Sequence, residues 1–179
     1  MPGFRHRWVP FAVVAVLLAG ASLWQKLAPP ETPIDGPARA VDGDTIWIGN
    51  ERVRLLGIDA PELAQSCTDA AGSQWPCGQV ARAEMVQLLA GRDVACQPQG
   101  RDVYGRPLAR CLVDGVDLAQ AVVEAGLAIS EQTYFPQQVQ AQAKKLGIWA
   151  GPFMLPVEWR RAHGEGRPAP FSGLWDWLP

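Results

Sequence analysis

Three short segments of this 179-residue chain gather charge at positions that a hydrophobic core does not need. The first is Asp42-Gly43-Asp44-Thr45, the second is Arg54 with Asp59 and Glu62, and the third is Arg101-Asp102-Val103-Tyr104-Gly105-Arg106. Arg54 alternates with Val53 and Leu55 in an otherwise apolar stretch, so on a strand it points away from the core face. Asp59 and Glu62 bracket Pro61, whose fixed φ makes a rigid turn for both carboxylates. Carboxylates without histidines or thiolates favour a hard cation with oxygen ligands, Ca²⁺ or Mg²⁺. Two arginines beside such a cation supply the donors that non-bridging phosphate oxygens need as charge builds on them. A further carboxylate can orient or deprotonate a water. The set leans to phosphodiester hydrolysis.

Composition narrows the chemistry from the other side. The chain has two histidines, His6 in a basic N-terminal stretch and His163 in a Gly/Pro-rich tail. That argues against a histidine base, a Ser-His-Asp triad and a histidine-ligated zinc. Net charge is −2, and the first thirty residues hold Arg5, Arg7 and Lys26 with no acid, which leaves −5 on the rest. Bulk charge therefore gives no grip on nucleic acid, and such chemistry has to come from a local site.

The elements that must position these residues follow from hydrophobic pattern and turn signals. Residues 39–41 and 45–48 read as strands, Gly49-Asn50 as a two-residue hairpin turn, and 52–58 as the returning strand. Residues 63–76 read as a long irregular segment. A helix over 78–89 follows, with Val80, Ala83, Val86 and Leu89 as its stripe. Strands at 94–96 and 108–113 flank the loop that carries Arg106, helices follow at 118–125 and 136–146, and 127–130 reads as a short strand. Five strands interrupted by one helix and followed by two predict a small closed barrel rather than a βαβ sheet.

Outside that region the chain reads as attachments. Arg5 and Arg7 precede an uncharged apolar run over 8–24, about 25 Å long as a helix, at the short limit for a bilayer. Ala19-Gly20-Ala21 suits a cleaved signal peptide, while Trp8 and Trp24 at the two ends suit an uncleaved signal anchor. Either places the remainder outside the cytoplasm, periplasmic or extracellular, with inner-membrane anchoring if the leader stays. The expected organisation is a leader at 1–24, a Pro-rich linker at 25–36, a domain at 37–150 and an extended tail at 151–179 with Trp159, Trp175 and Trp177 as docking points. Four cysteines allow three pairings. The local one, Cys67–Cys77 and Cys96–Cys111, closes short loops and suits an oxidising compartment.

Val41-Asp42-Gly43-Asp44-Thr45, then Arg54-Leu55-Leu56-Gly57-Ile58-Asp59-Ala60-Pro61-Glu62, then Asp102-Val103-Tyr104-Gly105-Arg106 together resemble the staphylococcal (thermo)nuclease family in order and spacing. The resemblance runs over about residues 37–150 and omits the leader, the cysteine-bearing loop and the tail. It implies an OB-fold five-stranded barrel with three α-helices (α+β) and a Ca²⁺-dependent nuclease acting on DNA and RNA, leaving 3′-phosphate and 5′-hydroxyl ends. By the same resemblance, Asp44, Asp59 and the backbone carbonyl of Ala60 are metal ligands. Arg54 and Arg106 clamp the scissile phosphate, and Glu62 is the general base. Tyr104 and, by a looser alignment, Tyr134 lie near the bound nucleotide. Val103 stands where the family commonly has lysine. A monomer is expected. Two other functions compete: an OB barrel that binds nucleic acid or oligosaccharide without cutting, and an envelope-assembly protein whose tail docks a partner.

Overall fold

Short strands separated by tight turns pair into a barrel in the computed structural model, which describes residues 32–164 together with Val13 and Gly20. Strand β1 (Ile34–Ala40) is shared between two neighbours. Its first half pairs antiparallel with β7 (Asp93–Arg101), and its second half with β2 (Thr45–Ile48). Gly49-Asn50 turns β2 into β3 (Glu51–Leu55). The other side is a hairpin of β7 with β8 (Pro107–Val113). Parallel pairing of Arg54 with Leu108 and of Leu55 with Ala109 joins β3 to β8 and closes the ring. The predicted five-stranded barrel is therefore present.

Alternation along β7 and β8 turns Val94, Cys96, Ala109, Cys111 and Val113 inward, where they meet Ile46, Val53 and Leu55. The open end is sealed by two helices, α1 (Cys77–Leu89) and α2 (Leu118–Glu124), which bury Met85, Leu118, Val122 and Val123 in the same core. The buried face of α1 is Cys77, Gly78, Ala81, Met85 and Leu89, a ridge mostly four apart. Val80, Ala83 and Val86 of the expected stripe are exposed. The Cys67–Cys77 disulfide fixes the first residue of α1, and with it the face the helix presents.

Four further differences separate the structure from that expectation. The expected strand over 52–58 breaks at Leu56-Gly57, where Gly57 takes φ +80°. Its remainder, β4 (Ile58–Asp59), leaves the barrel to pair with β10 (Ile129–Ser130). The segment read as irregular contains a small hairpin, β5 (Cys67–Thr68) with β6 (Gln74–Trp75). Strand β1 begins inside the stretch read as linker. The tail is not extended throughout: after α3 (Phe135–Ala143) and a 3₁₀ turn (Gly147–Ala150), Pro156–Ala162 form a helix, α4. A short strand, β9 (Val116–Asp117), leads into α2.

Both local disulfides are formed, Cys67–Cys77 and Cys96–Cys111, and the second joins directly paired positions of β7 and β8. The leader over 8–24, Trp175 and Trp177 lie outside the described residues, Val13 and Gly20 apart. Among the described residues no helix is long and apolar enough to cross a membrane.

Candidate active site

The loop from β1 to β2 delivers Asp44. It is held by its neighbours: the Asp44 N–H donates to Asp42 Oδ1 at 3.0 Å, and the Val41 N–H donates to the Thr45 carbonyl at 2.9 Å. The Asp44 side chain is buried, and its Oδ1 accepts from the Thr45 hydroxyl at 2.9 Å while its Oδ2 accepts from the Ala60 N–H at 3.1 Å. The register that sets Thr45 opposite Arg54 brings the guanidinium alongside, with Nη1 3.2 Å from both Asp44 carboxylate oxygens. The Arg54 Nη2 reaches Asp59 Oδ1 at 3.1 Å and the Ile58 carbonyl at 3.4 Å. One arginine thus bridges the two aspartates. Burial pushes the Asp44 carboxyl up to about 6, with the Arg54 charge opposing the rise. Burial works against the charge of Arg54, yet Asp44 and Asp59 outweigh it and raise its pKa.

The turn after β4 delivers Glu62, and buried Gln65 fixes that turn. The Gln65 N–H donates to the Glu62 carbonyl at 2.7 Å, and Gln65 Oε1 accepts from the Glu62 N–H at 3.2 Å. Its Nε2 donates to the Met154 carbonyl at 2.7 Å, tying the turn to the C-terminal segment. The start of α1 presses on the same turn: a Cβ at Gly78 would overlap the Glu62 carbonyl, so the position requires glycine. Burial raises the Glu62 carboxyl above its ordinary range, partly offset by hydrogen bonding and attraction from Arg160.

The β7–β8 loop delivers Arg106. Asp102 organises it, accepting from the Tyr104 and Arg106 N–H groups at 2.9 Å each and from Arg106 Nε at 2.6 Å. Burial would raise the Asp102 carboxyl, but these bonds hold it below the ordinary range. Tyr104 is exposed, and the Arg106 guanidinium lies 5.5 Å from its ring centre. Tyr134 is not brought to this cleft. It is buried in the core, and its hydroxyl donates to Asp117 Oδ2 at 3.0 Å. Its amphipathic ring serves packing and one internal hydrogen bond, which corrects the expectation of a nucleotide contact there. Burial and the adjacent Asp117 push the Tyr134 phenol up to about 12.

Arg160 of α4 joins the site without any local sequence motif to announce it. Its Nη1 donates to Asp59 Oδ1 at 2.9 Å and to Glu62 Oε1 at 2.7 Å, and its Nη2 donates to Asp59 Oδ2 at 3.1 Å. The partners lie 101 and 98 residues away in sequence, beyond the reach of any local pattern. The helix itself had a signal: Pro156 at its first turn, Glu158 beside it, and Arg160-Arg161 in the last turn.

Asp44, Arg54, Glu62, Tyr104, Arg106 and Arg160 line one cleft of about 810 Å³. Its donors are hard oxygens, which suits Ca²⁺ or Mg²⁺, and the Arg160 guanidinium demonstrates that Asp59 and Glu62 together receive a cation. Among the described residues no three acidic, histidine or cysteine side chains stand close enough to form a ready-made cage. Arg54 and Arg106 line the same cleft, so the arrangement can present guanidinium donors to a phosphate beside carboxylates able to accept a proton or a cation.

A closed five-stranded barrel whose cleft is lined by Asp44, Glu62 and several arginines defines an OB-type protein. Residues 52–151 match the family described as staphylococcal nuclease homologue, and the chain belongs to that family. It is 39% identical over 124 residues to a succinoglycan biosynthesis protein, ExoI, of Rhizobium meliloti (strain 1021), covering 65% of each chain. It is 28% identical over 131 residues to a probable staphylococcal-like nuclease, CAN1, of Oryza sativa subsp. japonica, covering 69% of this chain and 37% of that one. An uncharacterized endonuclease of Escherichia coli O157:H7 is 32% identical over 123 residues, covering 63% of this chain and 74% of its own length. Against ExoI and CAN1 the match spans less than two thirds of the relative's length.

Proposed function

We propose that the protein is an exported nuclease that hydrolyses phosphodiester bonds of DNA and RNA with Ca²⁺, leaving 3′-phosphate and 5′-hydroxyl ends. One observation carries this reading: Arg54 bridges Asp44 and Asp59 at the seam where β3 meets β8, in the cleft that also receives Arg106 and Glu62. Family membership and endonuclease-named relatives support the reaction class. The two disulfides suit an oxidising compartment.

Asp44 and Asp59, with the Ala60 carbonyl, would hold the metal. Bound there, Ca²⁺ supplies positive charge to the phosphate and to an attacking water. Arg54 and Arg106 donate to the non-bridging oxygens, which gain charge in the transition state. Arg106 exchanges its Asp102 partner for phosphate, a swap between two oxyanions of similar geometry. Glu62 accepts the water's proton, and the rise in its pKa caused by burial improves it as a base. Tyr104, exposed at the cleft, offers its ring to a nucleotide.

The test is cleavage of single-stranded and duplex DNA by the oxidised full chain, with Ca²⁺ and with chelator, against Glu62→Gln and Arg106→Ala. Ca²⁺-dependent cutting that falls by about a hundredfold or more in either variant is expected. Binding of single strands without cutting, by folded protein in Ca²⁺, overturns the enzyme and favours a binding module.

A further inference from the structure

The helix α4 is weakly packed. Pro156 is its one buried residue, while Val157, Glu158 and Arg161 are exposed. The stretch before it is pinned: the Thr68 N–H donates to the Pro152 carbonyl at 3.0 Å, and Gln65 holds Met154. Beyond that point, Arg160 makes the polar contacts between α4 and the site. The helix is a short lever on a fixed hinge, held down by a guanidinium.

Arg160 takes up the acceptor capacity a cation needs. Asp59 Oδ1 already accepts from both Arg54 and Arg160, which fills its two lone pairs, and Asp59 Oδ2 and Glu62 Oε1 each accept from Arg160. A divalent ion on Asp59 Oδ1 must displace one of these donors, and one on Oδ2 meets the Arg160 guanidinium already bound there. Arg54 is the more buried of the two arginines and is also held by Asp44. Arg160, more exposed and carried on the weakly packed α4, is the one placed to leave.

We propose that Arg160 is an internal competitor for the divalent cation, so that cation binding exchanges the guanidinium off Asp59 and loosens α4. The proposal rests on reading Asp59 as a cation ligand. It makes residue 160 a determinant of cation affinity, and it couples the C-terminal helix to the loaded state of the site. Removing the competitor should strengthen binding, because the exchange then no longer breaks an ion pair.

The experiment is calorimetric titration of Ca²⁺, and luminescence titration of Tb³⁺, into the oxidised full chain and into Arg160→Gln. It is paired with hydrogen exchange of the 157–163 amides in the wild-type protein with and without saturating cation. The expected result is a Kd lowered about tenfold in Arg160→Gln, together with faster α4 exchange in cation-loaded wild type. An equal or higher Kd in a folded Arg160→Gln overturns the proposal and makes Arg160 a clamp that orients the carboxylates. If that variant fails to fold, unchanged α4 exchange in loaded wild type overturns it equally. Absence of cation binding to both proteins removes the Asp59 reading itself, and the proposal with it.

Discussion

Asp44 accepts the Ala60 N–H at 3.1 Å across 16 residues of chain, so the loop after β1 and the turn after β4 share a carboxylate. The bond lies inside the cleft wall where Asp44 is buried, and it ties the first proposed metal ligand to the backbone of the third. A shift of either segment is felt by both. It also means that the charge state of Asp44 acts on folding as well as on ligands.

The pH dependence of the cation-free protein should reveal that coupling. Burial raises the Asp44 carboxyl from an ordinary 3.8 to about 6. The folded state therefore binds more protons than the unfolded chain between those values. This contribution to stability is full below pH 3.8 and is lost as pH rises through about 6. Its size is roughly 3 kcal/mol. Denaturant unfolding in chelator, comparing wild type with Asp44→Asn from pH 4 to pH 7, should show the gap moving against wild type by up to that amount. A gap independent of pH contradicts it. The same proton competes with a cation, so Ca²⁺ affinity should fall about tenfold per pH unit below 6.

Gly78 predicts a defect that starts in packing and ends in catalysis. A methyl there overlaps the Glu62 carbonyl, which also accepts from Gln65, so Gly78→Ala must push the turn outward. Overpacking of this kind costs about 1–3 kcal/mol. Turnover should fall more than substrate affinity, because the displaced residue is the proposed base. Ala83→Gly, on the exposed face of the same helix, costs about 1 kcal/mol through propensity and should leave kcat unchanged. Equal effects on kcat in the two variants would detach Gly78 from the site.

Much of the site was legible because charge interrupts apolar alternation where only function explains it. Arg54 within a strand and Asp59 and Glu62 around Pro61 are cases of this kind, and the barrel followed from strand count and turn chemistry. Arg160 was hidden because its partners lie about a hundred residues away and its surroundings are rich in Gly and Pro. The face of α1 departs from its apolar count because the disulfide at Cys77 turns that residue, and with it Ala81, Met85 and Leu89, inward. Tyr134 was ambiguous for a chemical reason: a tyrosine suits an apolar core and a nucleotide equally well until its hydroxyl finds a partner.

The two tyrosines should separate cleanly. Tyr134→Phe removes the hydrogen bond to Asp117, an acceptor that also caps α2 and pairs with Arg110. Stability should drop by about 1 kcal/mol with kcat and KM unchanged. Tyr104→Ala removes an exposed ring beside Arg106 and should raise KM several-fold without lowering the unfolding midpoint. A raised KM in Tyr134→Phe at full stability would return that residue to the cleft.

Reduction should weaken the enzyme before it unfolds it, and by two distinguishable routes. Cys96–Cys111 staples the paired strands that carry the Arg106 loop, closing 15 residues. Cys67–Cys77 clips the β5–β6 hairpin to the start of α1, which presses on the Glu62 turn, closing 10. Each bond restrains the unfolded chain by about 3 kcal/mol, and each also limits local opening of the segment beside it. Removing Cys96 and Cys111 as a pair should chiefly raise KM, because Arg106 loses its frame. Removing Cys67 and Cys77 should chiefly lower kcat, because Glu62 does. Both effects should appear at temperatures where far-UV circular dichroism still reports a folded barrel. Equal kinetic constants with and without reductant, in protein shown to contain both bonds beforehand, would mean that the barrel alone holds these segments in place.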